Sequence, residues 1–202
     1  MGLIKTKIKE LTKTAGSRQT AILNSEKWYT TALKSFNDKN VVKNGKSFIP
    51  GKIYVFRYDS PKTKETLEWW DRNPVVLALD PHEGNDVGIN LNLLPRDIKE
   101  TLLDDVYTRM YGEIKTNMTR AKENADAQKY LKLTWSGAQK YLDKYGIGFA
   151  IRQYIPSLKS RQAVVSYEHW ADIALCDFID LQGTTIADIQ KAFKKQYNNK
   201  NI

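Results

Sequence analysis

The chain is 202 residues long, 41% hydrophobic and 27% charged, a composition that can bury a core as one large domain or two small ones. No apolar run approaches the roughly 20 residues of a membrane span, and no apolar segment follows the basic start, so neither a transmembrane helix nor a signal peptide is expected. The lone cysteine, Cys176, excludes an internal disulfide and suits a reducing compartment, and the net charge of +9 is unevenly spread: the first 50 residues hold ten Lys/Arg against three Asp/Glu.

Residues 3–13 place Ile4, Ile8 and Leu11 at i, i+4 and i+7, with Lys5, Lys7, Lys9 and Lys13 around them. That spacing predicts a short amphipathic helix with a basic face. Alone in water so short a helix is marginal, so it should order on a partner or on the body of the protein. Ala15-Gly16-Ser17 breaks the pattern. A second helix is predicted from about Ser25 to Phe36, with Asn24 as N-cap and Trp28, Ala32 (or Tyr29 and Leu33) and Phe36 as its apolar face. The polar stretch 37–46, with Asn44-Gly45, reads as a turn or linker. Residues 1–46 are therefore read as a basic helical N-terminal arm, and 47–202 as an α+β body.

The body is organised around Pro50 to Pro95. Tyr54, Phe56 and Tyr58 alternate with Ile53, Val55 and Arg57, so one strand face is aromatic and the other mixed. Asp59-Ser60-Pro61 makes a turn, and Thr66 to Trp70 can form a second strand. Val75 to Leu79 is a buried-strand run, Pro81 to Gly84 a turn, and Val87 to Leu93 a further strand. Short connections favour an antiparallel meander, and a small curled SH3-like barrel is its simplest closure. Pro95 opens a helix to about Tyr111 with Ile98, Leu102, Leu103, Val106 and Met110 as its buried stripe. Ile114 to Gln128 is a polar excursion. Tyr130 to Trp135 alternates like a strand, Ser136 to Tyr145 reads as a helix, and Phe149 to Ile155 as a short helical piece before Pro156. Gln162 to Tyr167 is β-prone, while Tyr167 to Leu175 and Thr185 to Tyr197 look helical. The fold class is thus α+β: a curled antiparallel sheet surrounded by helices, with a basic arm.

Metal chemistry has little to stand on. His82, His169 and Cys176 form no zinc spacing, and the carboxylate groups Asp104-Asp105 and Asp80/Glu83/Asp86 lack an EF-hand's pattern. There is no phosphate-cradling or dinucleotide glycine motif, so no metal or other cofactor and no turnover chemistry is expected. Cys176 and His169 lie seven residues apart on one predicted helix, about 10 Å of rise, too far for a nucleophile–base pair. Nucleic-acid binding is the best physical reading. Lys5, Lys7, Lys9, Lys13 and Arg18 of the arm, and Arg57, Lys62, Lys64 and Arg72 of the body, can neutralise phosphates. Tyr58, Trp69 and Trp70 beside them can stack on unpaired bases. The competing reading makes the lysines a solvated surface, and Trp69 and Trp70 protein contacts, one into the core and one against a neighbouring subunit or helix.

The run Pro50-Gly51-Lys52-Ile53-Tyr54-Val55-Phe56-Arg57-Tyr58-Asp59-Ser60-Pro61-Lys62 resembles a segment of T4-like tailed-phage proteins described as DNA end protectors or virion structural proteins. Trp69-Trp70-Asp71, Pro74 to Leu79, Gly88 to Asn90 and Leu94-Pro95 continue the likeness in order. Trp28-Tyr29, Arg152-Gln153-Tyr154-Ile155, Ser160 and Ser166-Tyr167-Glu168-His169-Trp170-Ala171-Asp172-Ile173-Ala174 extend it. The resemblance implies a non-enzymatic bacteriophage virion protein of the head–tail connector or tail region, contacting or protecting the packaged DNA end. It implies other virion proteins of the neck, connector or tail as partners, DNA as a further one, no membrane, and a symmetric oligomer within the particle. The protein would sit in the virion, and in the host cytoplasm during assembly. A second likeness is to toxin-type endoribonucleases with an SH3-like barrel, through Gly51-Lys52-Ile53 and Asn73-Pro74-Val75-Val76, with Arg72 one position from the expected arginine.

Overall fold

A computed structural model describes residues 2–35, 47–58, 70–111, 135–143, 148–177 and 181–182, and the single positions 188 and 191. The chain divides into two compact units: Met1–Asn40, Pro95–Lys132 and Val165–Asp177 form one, and Val41–Leu94, Leu133–Val164 and Phe178–Ile202 the other.

The first unit is helical. Helix α1 (Leu3–Ala15) packs against both α2 (Arg18–Ser35) and α3 (Arg96–Tyr111), and all three pack against the short α5 (Trp170–Leu175). Its core holds Ile4 and Ile8 from α1, Ala21, Ile22 and Tyr29 from α2, Leu102, Leu103 and Val106 from α3, and Trp170, Ile173 and Leu175 from α5. Burying Ile4 and Ile8 contributes about 1.5–3 kcal/mol each, which the isolated helix lacks. Thus α1 orders on the protein's own helices. Between α1 and α2, Gly16 adopts φ 79° and ends α1. Ser17 Oγ then accepts the Thr20 N–H at 3.0 Å and caps α2. The second helix therefore starts at Arg18, not Ser25, and the expected N-cap Asn24 is an exposed position inside it. On α3 the expected stripe holds at Leu102, Leu103 and Val106, but Lys99 and Asp104 are buried beside it.

The second unit is built on a sheet. Strands β1 (Ile53–Tyr58), β3 (Val75–Ala78), β4 (Asp86–Asn90), β5 (Ile151–Tyr154) and β6 (Lys159–Val165) lie in the order β5-β4-β3-β1-β6. The pairs β1–β3, β3–β4 and β4–β5 are antiparallel, with Tyr54 opposite Val76, Leu77 opposite Ile89 and Gly88 opposite Arg152. A Cβ on Gly88 would run into Val76 Cγ1 and the Leu77 carbonyl, so the central strands close up only around glycine. Helix α4 (Trp135–Asp143) packs on β5. A separate ribbon pairs β2 (Trp70–Asp71) with β7 (Leu181–Gln182).

The predicted aromatic face becomes one core. Tyr54, Phe56 and Tyr58 cluster with Phe48, Val76, Ala78 and Tyr154. Phe56 and Tyr154 meet edge-on at 5.1 Å between ring centroids. Strands β5 and β6 are outermost, yet only Ile155–Leu158 join them, drawn into a turn by the Leu158 N–H donating to the Ile155 carbonyl at 3.1 Å. The edges of a flat five-stranded sheet lie about 19 Å apart, whereas such a turn spans under about 7 Å. The sheet is therefore strongly curled, and the Ile155 N–H reaches Tyr58 Oη on β1 at 3.4 Å. No pairing joins β5 to β6 among the described residues, so the sheet is open and a closed SH3-like barrel is not confirmed.

Three local expectations change. Residues 149–155 do not form a helical piece: a 3-10 turn at Gly148–Ala150 leads into β5, because four residues there pair with β4. Trp135 starts α4 rather than ending a strand. The strand after the Pro81–Gly84 turn stops at Asn90, whose side chain accepts the Asn92 N–H at 3.0 Å and turns Leu91–Leu93 into a 3-10 helix. The expected features at 36–46, 59–69, 112–134 and 144–147 lie outside the described residues, as does nearly all of Thr185–Tyr197.

Candidate nucleic-acid interface

Helix α1 carries the basic residues singled out from the sequence. With Ile4 and Ile8 buried, Lys7, Lys9 and Lys13 are exposed and Lys5 half-buried. Lys5, Lys9 and Lys13 recur every four residues, so they rise in steps of about 6 Å along one ridge. Lys7 falls on the opposite flank of the buried line. Glu10 is the only carboxylate in the helix. Lys13 stands in the last turn, where a cation complements the helix dipole.

The start of α1 is held from outside. Its N-cap residue, Gly2, has no side chain to offer, and Asp104 of α3 serves instead. Asp104 Oδ1 accepts the N–H groups of Ile4 at 2.9 Å and Lys5 at 3.2 Å. The ridge is thus fixed in orientation by a buried carboxylate. Arg18 is exposed but ion-paired with Glu100, which offsets its charge locally.

The two body cations among the described residues, Arg57 and Arg72, do not share a face. The Tyr58 N–H donates to the Arg72 carbonyl at 2.9 Å, continuing the register that sets Val55 opposite Val75. Tyr58 therefore stands opposite Arg72, and Arg57 opposite Asn73, so Arg57 and Arg72 fall on opposite faces. Arg72 is exposed and Arg57 half-buried. Trp70 lies in β2 opposite Gln182, while Lys62, Lys64 and Trp69 fall outside the described residues.

Other candidate chemistry is absorbed by structure. Asp86 leaves the Asp80/Glu83 turn and is buried, where it pairs with Lys159 and accepts the Phe48 N–H at 2.8 Å. It is no member of a surface cation site. His169 stacks on Trp28 at 4.3 Å between ring centroids, with Nδ1 3.3 Å from Asp172 Oδ2. Cys176 is buried, and that burial pushes its thiol up to about 12, far from a reactive thiolate. The cations that sequence reasoning missed are Lys99 and Lys159, both buried, and Arg161 on β6.

No curated relative and no solved structure matches the chain. The family model described as Phage T4 terminal DNA protecting protein matches residues 3–194 of the 202. That span takes in the basic helix, the curled sheet and α5 together, and the chain belongs to the phage T4 terminal DNA protecting protein family.

Proposed function

We propose that this phage protein binds the end of linear double-stranded DNA stoichiometrically and shields it, with the Lys5–Lys9–Lys13 ridge of α1 laid along the phosphate backbone. The ridge is the observation that carries the reading: three lysines at even spacing on a helix whose other side is buried and whose start is pinned by Asp104. Ammonium groups neutralise phosphates and release counterions, and no bond need be made or broken. Membership of a DNA-protecting family supports the same partner. Of the body cations, Arg57 and Arg72 would serve different surfaces, and Lys62 and Lys64 remain candidates from sequence.

In the finer reading the protein sits in the virion at the head–tail connector or tail, beside other virion proteins and repeated as a symmetric oligomer, after assembly in the host cytoplasm. Trp69 and Trp70 would be its protein contacts. The curled sheet would be an SH3-like arrangement left open between β5 and β6, a reading that the order β5-β4-β3-β1-β6 and the tight turn joining its two outermost strands support.

Fluorescence anisotropy with a blunt linear duplex, from 50 to 200 mM salt, tests the DNA reading. Three phosphate contacts give a log–log slope of about −3. The variant Lys5→Gln/Lys9→Gln/Lys13→Gln should flatten it and should fail to shield linear DNA from an exonuclease. Truncation of α1 is the wrong control, because Ile4 and Ile8 are core. Absence of binding at the lowest salt would sink the proposal.

A further inference from the structure

A row of lysines meets the same phosphates in the interior of a duplex as at its end, so the α1 ridge by itself gives no preference for an end. One thing that an end alone presents is the flat outer face of its last base pair, with no neighbour stacked on it. A flat side chain held in place answers that face. His169, which ends the 3-10 turn Tyr167–His169, is such a side chain in the same compact unit as α1. Its ring lies on Trp28 of α2, 4.3 Å between centroids and 23° from parallel. Asp172 Oδ2 stands 3.3 Å from Nδ1, and Asp172 Oδ1 accepts the Ser25 hydroxyl at 2.9 Å. Ser25 is itself buried on α2. The imidazole is thus gripped on one face and one edge, yet its side chain is 39% exposed. That exposure falls to the opposite face and the Nε2 edge.

A ring that only packed α5 onto α2 would gain most by being covered on both faces. A terminal phosphate, the other mark of an end, does not suit this place: Asp172 touches the ring and the exposed Glu168 precedes it, so the surroundings are acidic. The face of a base pair carries no charge. We propose that the outer face of His169, backed by Trp28, stacks on the terminal base pair of the duplex and lets the protein tell an end from an interior. This rests on the DNA reading above and deepens it: α1 supplies affinity for phosphate, and the aromatic pair supplies the preference for an end. Stacking accepts any sequence, because every base offers a π face. The grip of Asp172 and Trp28 fixes the ring before DNA arrives, so little side-chain freedom is left to lose on binding.

The test uses the full chain and two DNAs with the same stem: a blunt duplex, and a dumbbell whose ends are both closed by loops. The dumbbell keeps the phosphates of the stem and covers its terminal base pairs. The parent should bind the blunt duplex about 5- to 100-fold more tightly, the range that one stacked base supports. His169→Ala should bring that ratio close to unity and leave the salt slope as in the parent. His169→Phe keeps a flat ring and should keep most of the ratio. A 2-aminopurine in the terminal pair should lose fluorescence when the parent binds, and one in the middle of the stem should not. That readout needs no substitution, so it stands even where a variant folds poorly. An unquenched terminal probe on the bound parent would overturn the inference. So would a parental ratio in His169→Ala, or a ratio near unity in a His169→Phe protein that unfolds like the parent. If the parent binds both DNAs equally and the α1 lysine variant flattens the salt slope, phosphate binding by the ridge stands and only this inference fails. If the parent binds neither DNA, both fall.

Discussion

Asp104 Oδ1 accepts the backbone N–H of Ile4 at 2.9 Å, across 100 residues of chain. With the Lys5 N–H it satisfies two of the orphan donors at the start of α1, and it sets a negative charge at the positive end of that helix. Helix α3 treats α5 in the opposite sense. Arg96 Nε donates to the Leu175 carbonyl at 3.0 Å, and Lys99 Nζ donates to the Cys176 carbonyl. One helix thus carries a carboxylate to a helix start and two cations to a helix end. Asp104→Ala should lower stability by about 1–2 kcal/mol, the usual worth of a cap. Asp104→Asn should cost less, since its amide oxygen still accepts. Gly2→Ala should act in the same direction, because a Cβ there strikes the Asp104 carboxylate. Urea unfolding measures all three, and an unchanged Asp104→Ala midpoint would remove the capping role.

Much of this fold was legible because its elements obey one period at a time. The β1 alternation, the Val75–Leu79 run and the Leu102–Leu103–Val106 stripe all read correctly, since burial there follows local spacing. The errors fall where tertiary partners override the local signal. Ile151–Tyr154 is a strand because β4 is there to pair with it. Asp104 and Asp86 looked like parts of surface acidic clusters, and their partners lie far away in sequence, at Ile4 and Lys159. A hint existed for Asp104, since a carboxylate directly after Leu102-Leu103 falls within an apolar stripe. The α1 lysines were legible as a basic face, but their orientation was not, because the residue that fixes it is on another helix.

The buried pair Asp86–Lys159 should behave as a unit. Lys159 and Asp86 side chains are essentially without solvent contact, and the ammonium also lies 4.0 Å from the Phe48 ring centroid. Lys159→Met strands a buried carboxylate and should cost about 3–5 kcal/mol. Adding Asp86→Asn should recover most of that, because the amide oxygen can still accept the Phe48 N–H. A double-mutant cycle in denaturant measures the coupling. Simple additivity of the two changes would show that the pair is not coupled.

Position on α1 should matter more than charge count. Lys9 and Lys13 share the ridge, whereas Lys7 lies on the other flank of the Ile4–Ile8 line. Each removes one positive charge when changed to Gln. Lys9→Gln or Lys13→Gln should reduce the salt slope of DNA binding by about 0.9, and Lys7→Gln by much less. Equal effects from all three would mean that DNA senses only the net charge of the helix, and that no ridge is read.

Stability should have a pH dependence above neutrality that two neighbours set against each other. Burial lowers Lys99 to about 8 from an ordinary 10.5. Its contribution is therefore complete above 10.5 and is lost as pH falls through about 8. Burial raises Cys176 to about 12 from 9.0. Its contribution is complete below 9 and is lost as pH climbs toward 12. Between about pH 8 and 9 only the lysine changes its proton balance, and stability should rise with pH, by at most about 1.4 kcal/mol per pH unit. Above pH 9 the thiol opposes it and the curve should flatten. Cys176→Ala should let the rise continue toward 10.5, while Lys99→Met should abolish it and leave only the fall above 9. Urea unfolding of the three proteins from pH 7 to 10 gives the comparison. A parent curve whose rise survives Lys99→Met would place that titration on another group.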